Sequence, residues 1–96
     1  MKGWGLKSAM YEVVFSDLAE EELGKLPEHI ANDILKKIYW LAENADVIRH
    51  DRLKGHREYS LHCGQYRIPY LLDRANRVVC IEDIDKHDEA YRKLKR

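Results

Sequence analysis

The chain has 96 residues, of which 45% are hydrophobic and 35% are charged, and its 17 Lys and Arg residues are balanced by 17 Asp and Glu residues. This composition is that of an ordinary globular protein, and the length fills one hydrophobic core, so we expect a single domain. No apolar run approaches the roughly 20 residues of a transmembrane helix, and the first residues lack the apolar stretch of a signal peptide. We therefore expect a cytoplasmic protein without a membrane partner.

The zero net charge conceals an uneven distribution. Residues 1–46 carry five Lys and Arg against nine Asp and Glu, whereas residues 47–96 carry twelve against eight. A cationic second half indicates a surface for a polyanion such as nucleic acid. Basic side chains that protect a sheet edge from aggregation produce the same pattern, and charge alone does not separate the two interpretations.

The first half of the chain predicts a strand followed by two helices. Residues 1–10, with two glycines and no periodicity, are expected to be an extension of a domain that covers residues 11–96. Residues 11–15 form a β-branched and aromatic run that is typical of a strand. Asp17 and Glu20 then follow at the spacing of a capping box, which opens a helix.

Pro27 predicts the boundary between the two helices. The residue before a proline avoids helical conformation, and proline itself is favoured as the first residue of a helix. Five aliphatic residues then recur at helical spacing: Ile30, Ile34, Leu35, Ile38 and Leu41. This pattern predicts an amphipathic helix that ends near residues 44–46 and forms an antiparallel hairpin with the first.

After residue 47 the pattern changes to that of strands. Three runs, residues 58–63, 66–72 and 77–84, are joined by short loops, which predicts antiparallel hairpins. Residues 78–81 are apolar on both faces, as a central strand would be. Pro69 cannot donate a ladder hydrogen bond, so it is expected at a bulge or with its nitrogen facing away from a partner strand.

The tail completes an α+β fold. Residues 86–96 are mostly charged and predict a short C-terminal helix. The expected order is therefore an N-terminal strand, a two-helix antiparallel hairpin, a three- to four-stranded antiparallel sheet and the short C-terminal helix.

The cysteines and histidines do not predict a metal site. Cys63 and Cys80 each lie singly in an apolar run, which in a reducing cytosol indicates buried free thiols rather than a disulfide. His62 and Cys63 are adjacent in a predicted strand and so point to opposite faces, and no other pair shows ligand spacing. A Gly-rich phosphate loop is also missing from the sequence. We therefore expect no metal ion and no cofactor.

Four motifs in order resemble the RelE/ParE toxin superfamily of type II toxin–antitoxin systems. They are the Val13-Val14-Phe15-Ser16 start before a Leu-Pro helical hairpin, the Leu53-Lys54-Gly55 step, the strand pair from Tyr59 to Arg67, and the closing run from Lys86 to Tyr91. None of them is specific by itself, but four in order across residues 10–95 are hard to obtain by chance.

The resemblance implies a compact α+β toxin that is encoded beside an antitoxin and wrapped by it. In the RelE branch the toxin cuts mRNA in the ribosomal decoding site without a metal ion, and in the ParE branch it poisons DNA gyrase. The RelE comparison implies a metal-independent endoribonuclease whose partners are the cognate antitoxin, the ribosome and mRNA. A gyrase inhibitor without nuclease chemistry and an inactive member that only binds an antitoxin are the alternatives.

Arg67 is the first candidate catalytic residue. Metal-free RNA cleavage needs a base for the 2′-hydroxyl, positive charge on the phosphoryl oxygens and an acid for the departing oxygen. If Tyr66, Ile68 and Tyr70 face the core, Arg67 points outward, where its planar guanidinium can hold a phosphate. The family's Tyr-Arg motif implies that this arginine stabilises the transition state. A surface arginine paired with a carboxylate is the alternative.

Histidines are the expected proton-transfer groups. His87 and Tyr91 are four residues apart in a predicted helical turn and so share a face. The resemblance implies that His87 is the general acid and that Tyr91 assists proton transfer or stacks on a base. RelE presents several lysines where this chain has Ser60 and His62, so His62 is the expected general base. A packed tyrosine and an exposed histidine are the alternative.

Three further cationic residues are expected to contact the RNA backbone: Lys54, Arg52 and Arg57. A solvated loop lysine is the alternative for Lys54. The neutral net charge departs from the basic character that is usual in toxins acting on ribosomes.

Overall fold

Two helices cover one face of a six-stranded sheet in the computed structural model, which describes residues 10–86. The elements in chain order are β1 (Glu12–Phe15), α1 (Asp17–Gly24), α2 (Glu28–Asn44), β2 (Asp51–Arg52), β3 (Tyr59–Cys63), β4 (Tyr66–Asp73), β5 (Val78–Ile81) and β6 (Asp85–Lys86). Among the described residues, no helix has the length and apolar character to cross a membrane.

The two helices begin close to the predicted positions. Ser16 caps α1, because its Oγ accepts a hydrogen bond of 3.0 Å from the backbone nitrogen of Ala19. The cap therefore lies one residue before the Asp17 that the capping-box pattern indicated. Pro27 is the N-cap of α2 rather than its first helical residue, and its ψ of 148° is an extended value.

The apolar face of α2 forms one wall of the core. Its fully buried residues follow the predicted helical spacing: Ile34, Ile38, Leu41 and Ala42. They belong to one cluster with buried residues of the sheet, among them Leu61, Ile68, Tyr70, Val79 and Ile81. The sheet therefore turns one face toward the helices, and we call the opposite face the outer face.

The sheet is mixed rather than wholly antiparallel. Its main order is β1-β5-β4-β3-β2; β1 pairs with β5 in parallel, and the remaining pairs are antiparallel. The prediction of a purely antiparallel sheet was wrong. It considered pairing only between strands that are consecutive in the sequence, and so it did not include a pairing of β1 with β5. The helical hairpin between β1 and the later strands carries the chain back, so β1 aligns with β5. The prediction that residues 78–81 form a central strand is confirmed, since β5 lies between β1 and β4.

Pro69 lies opposite a bulge. The pairs Tyr70–Ile81 and Arg67–Asp85 leave two residues of β4 facing three residues between β5 and β6. The carbonyl of Pro69 accepts a hydrogen bond of 2.9 Å from the nitrogen of Glu82 on this same side. The nitrogen of Pro69 therefore faces the irregular residues between β5 and β6, where the ladder is interrupted and a missing N–H donor is tolerated. The prediction that Pro69 lies at a bulge is confirmed.

His50 fixes the loop between α2 and β2 through both ring nitrogens. Nε2 lies 2.8 Å from the carbonyl oxygen of Ala45, and Nδ1 lies 2.5 Å from the hydroxyl of Tyr70. A carbonyl only accepts, so Nε2 carries the hydrogen and Nδ1 accepts from Tyr70. Burial raises the pKa of the Tyr70 hydroxyl, which therefore keeps the proton that it donates.

Two sequence predictions fall on residues outside the described range. The expected C-terminal helix covers residues 86–96, of which the structure describes Lys86 as the last residue of β6. Residues 1–9 of the expected N-terminal extension also lie outside it.

Candidate active site

His62 and Arg67 lie side by side on the outer face of the sheet. They are direct partners across β3 and β4, and Nη2 of Arg67 lies 3.4 Å from Nε2 of His62. His62 is exposed and Arg67 is half-buried. The neighbouring pair, Leu61 and Ile68, is buried on the helix side, so alternation places the two cationic residues together on the other face.

A tight turn sets the register that brings these two side chains together. β3 and β4 are joined by Gly64 and Gln65 alone, and Gly64 has a φ of +60°. A two-residue hairpin loop favours glycine at a position of positive φ. A shift of the register by one residue would send His62 and Arg67 to opposite faces. The outward orientation of Arg67 that its sequence predicts is therefore confirmed, and the turn determines its partner.

The predicted RNA-contacting residues lie at the opposite end of β3. Arg52 donates through Nη1 to the carbonyl of Arg57 and through Nη2 to the hydroxyl of Tyr59, both at 3.0 Å, and its guanidinium lies 4.6 Å above the Tyr59 ring. Lys54 and Arg57 are exposed in the loop before β3. Three residues of strand separate Tyr59 from His62, which amounts to about 10 Å. The structure does not bring this cationic loop into direct contact with the His62–Arg67 pair.

The predicted acid and its neighbour, His87 and Tyr91, lie outside the described residues. The last described strand, β6, pairs with the start of β4, with Asp85 opposite Arg67 and Lys86 opposite Tyr66. The described chain therefore ends beside the candidate site.

The two cysteines lie apart in the sheet and form no disulfide with each other. Both are free thiols, as predicted, but they are half-buried rather than buried. Cys63 pairs with Tyr66 on the helix side, whereas Cys80 pairs with Leu71 on the outer face, so the two point away from each other. Burial raises the pKa of each thiol, which disfavours the reactive thiolate form.

Residues 10–86 contain no group of three or more His, Cys, Asp or Glu side chains that could hold a metal ion.

Sequence reasoning missed two side chains of α2 that lie near the candidate site. Lys37 and Trp40 border the edge of β3 and line a cavity together with His62. The signal in the sequence was Trp40, an aromatic residue that lies outside the apolar stripe of α2. Packing of the helix against the sheet does not require an aromatic residue there.

Comparison with known families decides the class of protein. A protein-family model described as the ParE toxin of the type II toxin–antitoxin system, parDE, matches residues 13–91. The chain belongs to the ParE toxin family. This places it in the RelE/ParE superfamily that the sequence motifs indicated, as a toxin of a type II toxin–antitoxin system. A search of curated protein sequences gave no match.

Solved structures confirm the RelE-like fold of this ParE-family toxin. The structure of the RelBE2 toxin–antitoxin complex of Mycobacterium tuberculosis matches with a TM-score of 0.72 and 25% identity, over 81% of this chain and 92% of that one. The isolated RelE toxin of E. coli matches with a TM-score of 0.68 and 22% identity, over 88% and 98%. The chromosomal ParDE system of P. aeruginosa matches with a TM-score of 0.65 and 14% identity, over 81% and 97%. Both branches of the superfamily thus share this fold.

Proposed function

We propose that this toxin is a metal-independent endoribonuclease that cleaves mRNA on the ribosome and is held inactive by a cognate antitoxin. The observation that carries the proposal is the contact between Arg67 and His62 on the outer face. A guanidinium beside an imidazole supplies positive charge for a phosphate and a group that accepts a proton. The M. tuberculosis RelBE2 structure, a complex of a toxin with its antitoxin, supports the choice of partner.

The reaction needs no group beyond side chains and the RNA itself. A base removes the proton of the ribose 2′-hydroxyl, and the 2′-oxygen attacks the adjacent phosphorus. The bond from phosphorus to the 5′-oxygen breaks, and an acid protonates that oxygen. The products are a 2′,3′-cyclic phosphate and a new 5′-hydroxyl, so the atoms balance without water or metal.

We assign the role of the base to His62. Arg67 only donates hydrogen bonds, so the contact of 3.4 Å between its Nη2 and Nε2 of His62 fits the tautomer in which Nε2 accepts. A substrate phosphate would draw the guanidinium away from the imidazole, because a charge-assisted bond to an anion is stronger than one to a neutral nitrogen. Nε2 is then available to the 2′-hydroxyl while Arg67 neutralises the phosphoryl oxygens.

His87 and Tyr91 are proposed as the remaining members of the site. β6 ends one residue before His87 and runs beside the strand that carries Arg67. His87 is proposed as the general acid for the 5′-oxygen, and Tyr91 as the group that assists this transfer or stacks on a base. Lys54, Arg52 and Arg57 are proposed to contact more distant phosphates, since they lie about three strand residues from the reacting pair.

A second candidate function is inhibition of DNA gyrase without nuclease chemistry. The observation in its favour is the family match itself, which is to the ParE toxin of parDE. The neutral net charge of the chain is also less suited to a ribosomal RNA surface than a basic protein would be. A third candidate is an inactive member that only binds an antitoxin.

Mapping of mRNA 5′ ends in cells that express the toxin separates these functions. The nuclease proposal expects cuts in phase with codons. It expects the Arg67→Ala variant to cleave about 10²–10³-fold more slowly, which is the cost of removing one preorganised charge contact. His62→Ala and His87→Ala are expected to lose them as well. The matched control is Arg74→Ala, which removes an exposed arginine of the turn after β4.

Two other outcomes would contradict the nuclease proposal. Growth arrest with DNA breaks and without phased cuts would assign the gyrase function, and no toxicity from the intact chain would assign an inactive member. Because Arg67 is half-buried, melting temperatures are measured for Arg67→Ala and Arg67→Lys. The lysine variant keeps the stem and the charge but not the planar fork, so a loss of activity without a loss of stability in both variants identifies a role in phosphate recognition.

A further inference from the structure

The side of α2 that points away from the sheet carries a continuous row of residues, which we call the α2 stripe. They recur at helical spacing and line one shallow groove of about 480 Å³: Asn32, Leu35, Lys36, Tyr39, Trp40 and Glu43. The residues that α2 buries lie on the other side of the helix: Ile34, Ile38, Leu41 and Ala42. Within the described part of the chain, every residue of the stripe except the half-buried Leu35 is exposed.

The α2 stripe exposes more apolar surface than the packing of this chain requires. Tyr39 is 45% exposed and Trp40 is 41% exposed, and Val47, three residues after the end of α2, is 80% exposed. Aromatic side chains are enriched in protein–protein interfaces, where a few of them supply most of the binding energy, and neighbouring exposed apolar residues mark such interfaces. These residues therefore indicate a protein-binding surface along α2.

Two exposed charges of opposite sign bracket the aromatic pair. Lys36 lies three residues before Tyr39, and Glu43 lies three residues after Trp40. Lys36 and Glu43 are two helical turns apart, about 10 Å, so they share a face but cannot pair with each other. Neither belongs to the ion pairs that the structure shows within residues 10–86. With one cation and one anion, the stripe does not favour a polyanion such as RNA.

The order of these four residues is complementary to itself when the helix direction is reversed. A twofold axis between Tyr39 and Trp40 has Lys36 and Glu43 on either side of it, each about 5 Å away along the helix. When a second α2 packs antiparallel about this axis, each Lys36 faces the partner's Glu43, and each Tyr39 faces the partner's Trp40. The stripe therefore supplies two ion pairs at the ends of an aromatic centre.

We propose that this toxin forms a homodimer in which the α2 stripes of two copies pack antiparallel. The formal net charge of zero removes the general repulsion that opposes the association of two identical chains. α2 packs on the face of the sheet opposite to the His62–Arg67 pair, so the outer faces of both copies stay open in the dimer. The inference is therefore independent of the proposed nuclease function.

The size of the stripe limits the strength of the dimer. From Asn32 to Glu43 the stripe is about 17 Å long. Its six residues are far fewer than the roughly 20–30 that each partner contributes to a stable interface of standard size. We therefore expect a weak, reversible dimer with a dissociation constant of about 10–100 µM.

Sedimentation equilibrium of the full chain measures this association. Between about 1 µM and about 300 µM, which brackets the expected constant, the average mass is expected to rise from that of a monomer toward that of a dimer. A Tyr39→Ser/Trp40→Ser double variant loses the aromatic centre and is expected to associate at least about tenfold more weakly. Leu18→Ser is the matched control, because Leu18 is 48% exposed and lies on α1.

Reversal of the charges tests the antiparallel register. Lys36→Glu and Glu43→Lys each turn two attractive contacts into two repulsive ones, so each variant is expected to dimerise about tenfold more weakly. An equimolar mixture of the two variants restores both attractive pairs across the axis and is expected to associate within about threefold of the wild type. Arg74→Glu is the matched control, because it changes the net charge as Lys36→Glu does at an exposed residue after β4.

Two kinds of result would overturn the dimer. The first is a wild-type chain that stays monomeric at every concentration. If the Tyr39→Ser/Trp40→Ser variant of such a monomer also loses binding to the cognate antitoxin, the α2 stripe belongs to the antitoxin instead. The second is a dimer that neither charge reversal weakens, or a mixture of Lys36→Glu with Glu43→Lys that associates no better than its components, since either outcome places the contact elsewhere on the molecule.

Discussion

At the scale of single residues, Asp46 joins the loop after α2 to two distant parts of the chain. Its Oδ1 accepts a hydrogen bond of 2.8 Å from the hydroxyl of Tyr11, and its Oδ2 lies 3.0 Å from Nη2 of Arg77. The guanidinium of Arg77 also lies 4.4 Å from the centre of the Tyr11 ring. The bond from Tyr11, followed by that from Arg77, holds the pKa of Asp46 below its usual value.

This lowered pKa makes the stability of the toxin depend on pH in a defined direction. A carboxyl whose folded pKa is depressed stabilises the fold above its unfolded pKa, and the contribution is lost as pH falls through the folded pKa. We therefore expect Asp46→Asn to lower the free energy of unfolding at about pH 7 and to make little difference at about pH 2. Urea unfolding of both proteins across this range measures the effect.

Glu43→Gln is the control for Asp46→Asn, because Glu43 is an exposed carboxylate of α2. It is expected to leave the stability unchanged throughout the range. A constant difference between the wild type and Asp46→Asn at every pH would contradict a role for the ionised carboxylate.

At the scale of elements, Ser16 connects the start of α1 to the irregular stretch after β5. Its Oγ accepts from the nitrogen of Ala19 at 3.0 Å and donates to the carbonyl of Glu82 at 2.7 Å. The same residue also donates its backbone hydrogen to the carbonyl of Ile81 at 2.9 Å. One side chain therefore caps a helix and anchors the end of the parallel pair β1–β5.

Replacement of this hydroxyl is expected to cost more than an ordinary helix cap. Loss of a serine N-cap costs about 1 kcal/mol, and a part-buried carbonyl left without its donor adds a further cost of about 1 kcal/mol. We expect Ser16→Ala to lower the free energy of unfolding by about 1–2 kcal/mol. Ser16→Thr, which keeps the hydroxyl, is expected to change it by less than about 0.5 kcal/mol. Equal losses in the two variants, measured by urea unfolding, would show that the hydroxyl is not the cause.

At the scale of the whole molecule, the charge is neutral in sum and separated in space. The helices belong to the acidic first half of the chain, and β2 to β6 belong to the cationic second half. Under the proposed nuclease function, affinity for RNA would therefore come from a few local contacts and not from a general positive field. The number of such contacts can be measured from the dependence of RNA affinity on salt concentration.

Each phosphate contact to single-stranded RNA contributes a slope of about −0.7 to the logarithm of affinity against the logarithm of salt concentration. We expect Arg67→Ala to reduce the slope by about one such contact, as measured by fluorescence anisotropy with a 2′-O-methyl RNA oligonucleotide. Lys25→Ala is the control, because Lys25 lies within 3.8 Å of Glu21 and 3.6 Å of Glu22 on α1. An unchanged slope in Arg67→Ala would remove Arg67 from the RNA contacts.

The sequence predicted most of the elements and the orientation of Arg67. The helical spacing of the aliphatic residues in α2 and the two-residue alternation around Arg67 are local patterns, and each appears in the structure as predicted. Pro69 was also placed correctly, because a missing donor restricts a residue whatever the rest of the fold is. The candidate RNA contacts Arg52, Lys54 and Arg57 do not lie next to Arg67. The positive charge of a residue does not indicate at which end of a strand its loop lies.

Local chemistry thus determined β1, the two helices, β3, β4 and β5, together with the faces of the sheet, because periodicity, caps and turns act over a few residues. It did not predict the two-residue strands β2 and β6, and the predicted strand over residues 77–84 ends at Ile81. The tertiary structure alone decided two features: the parallel pairing of β1 with β5 and the pairing of β6 with the start of β4. Each joins residues about 20 or more positions apart. Such contacts depend on how the helical hairpin returns the chain across the sheet, and a local pattern does not encode that path.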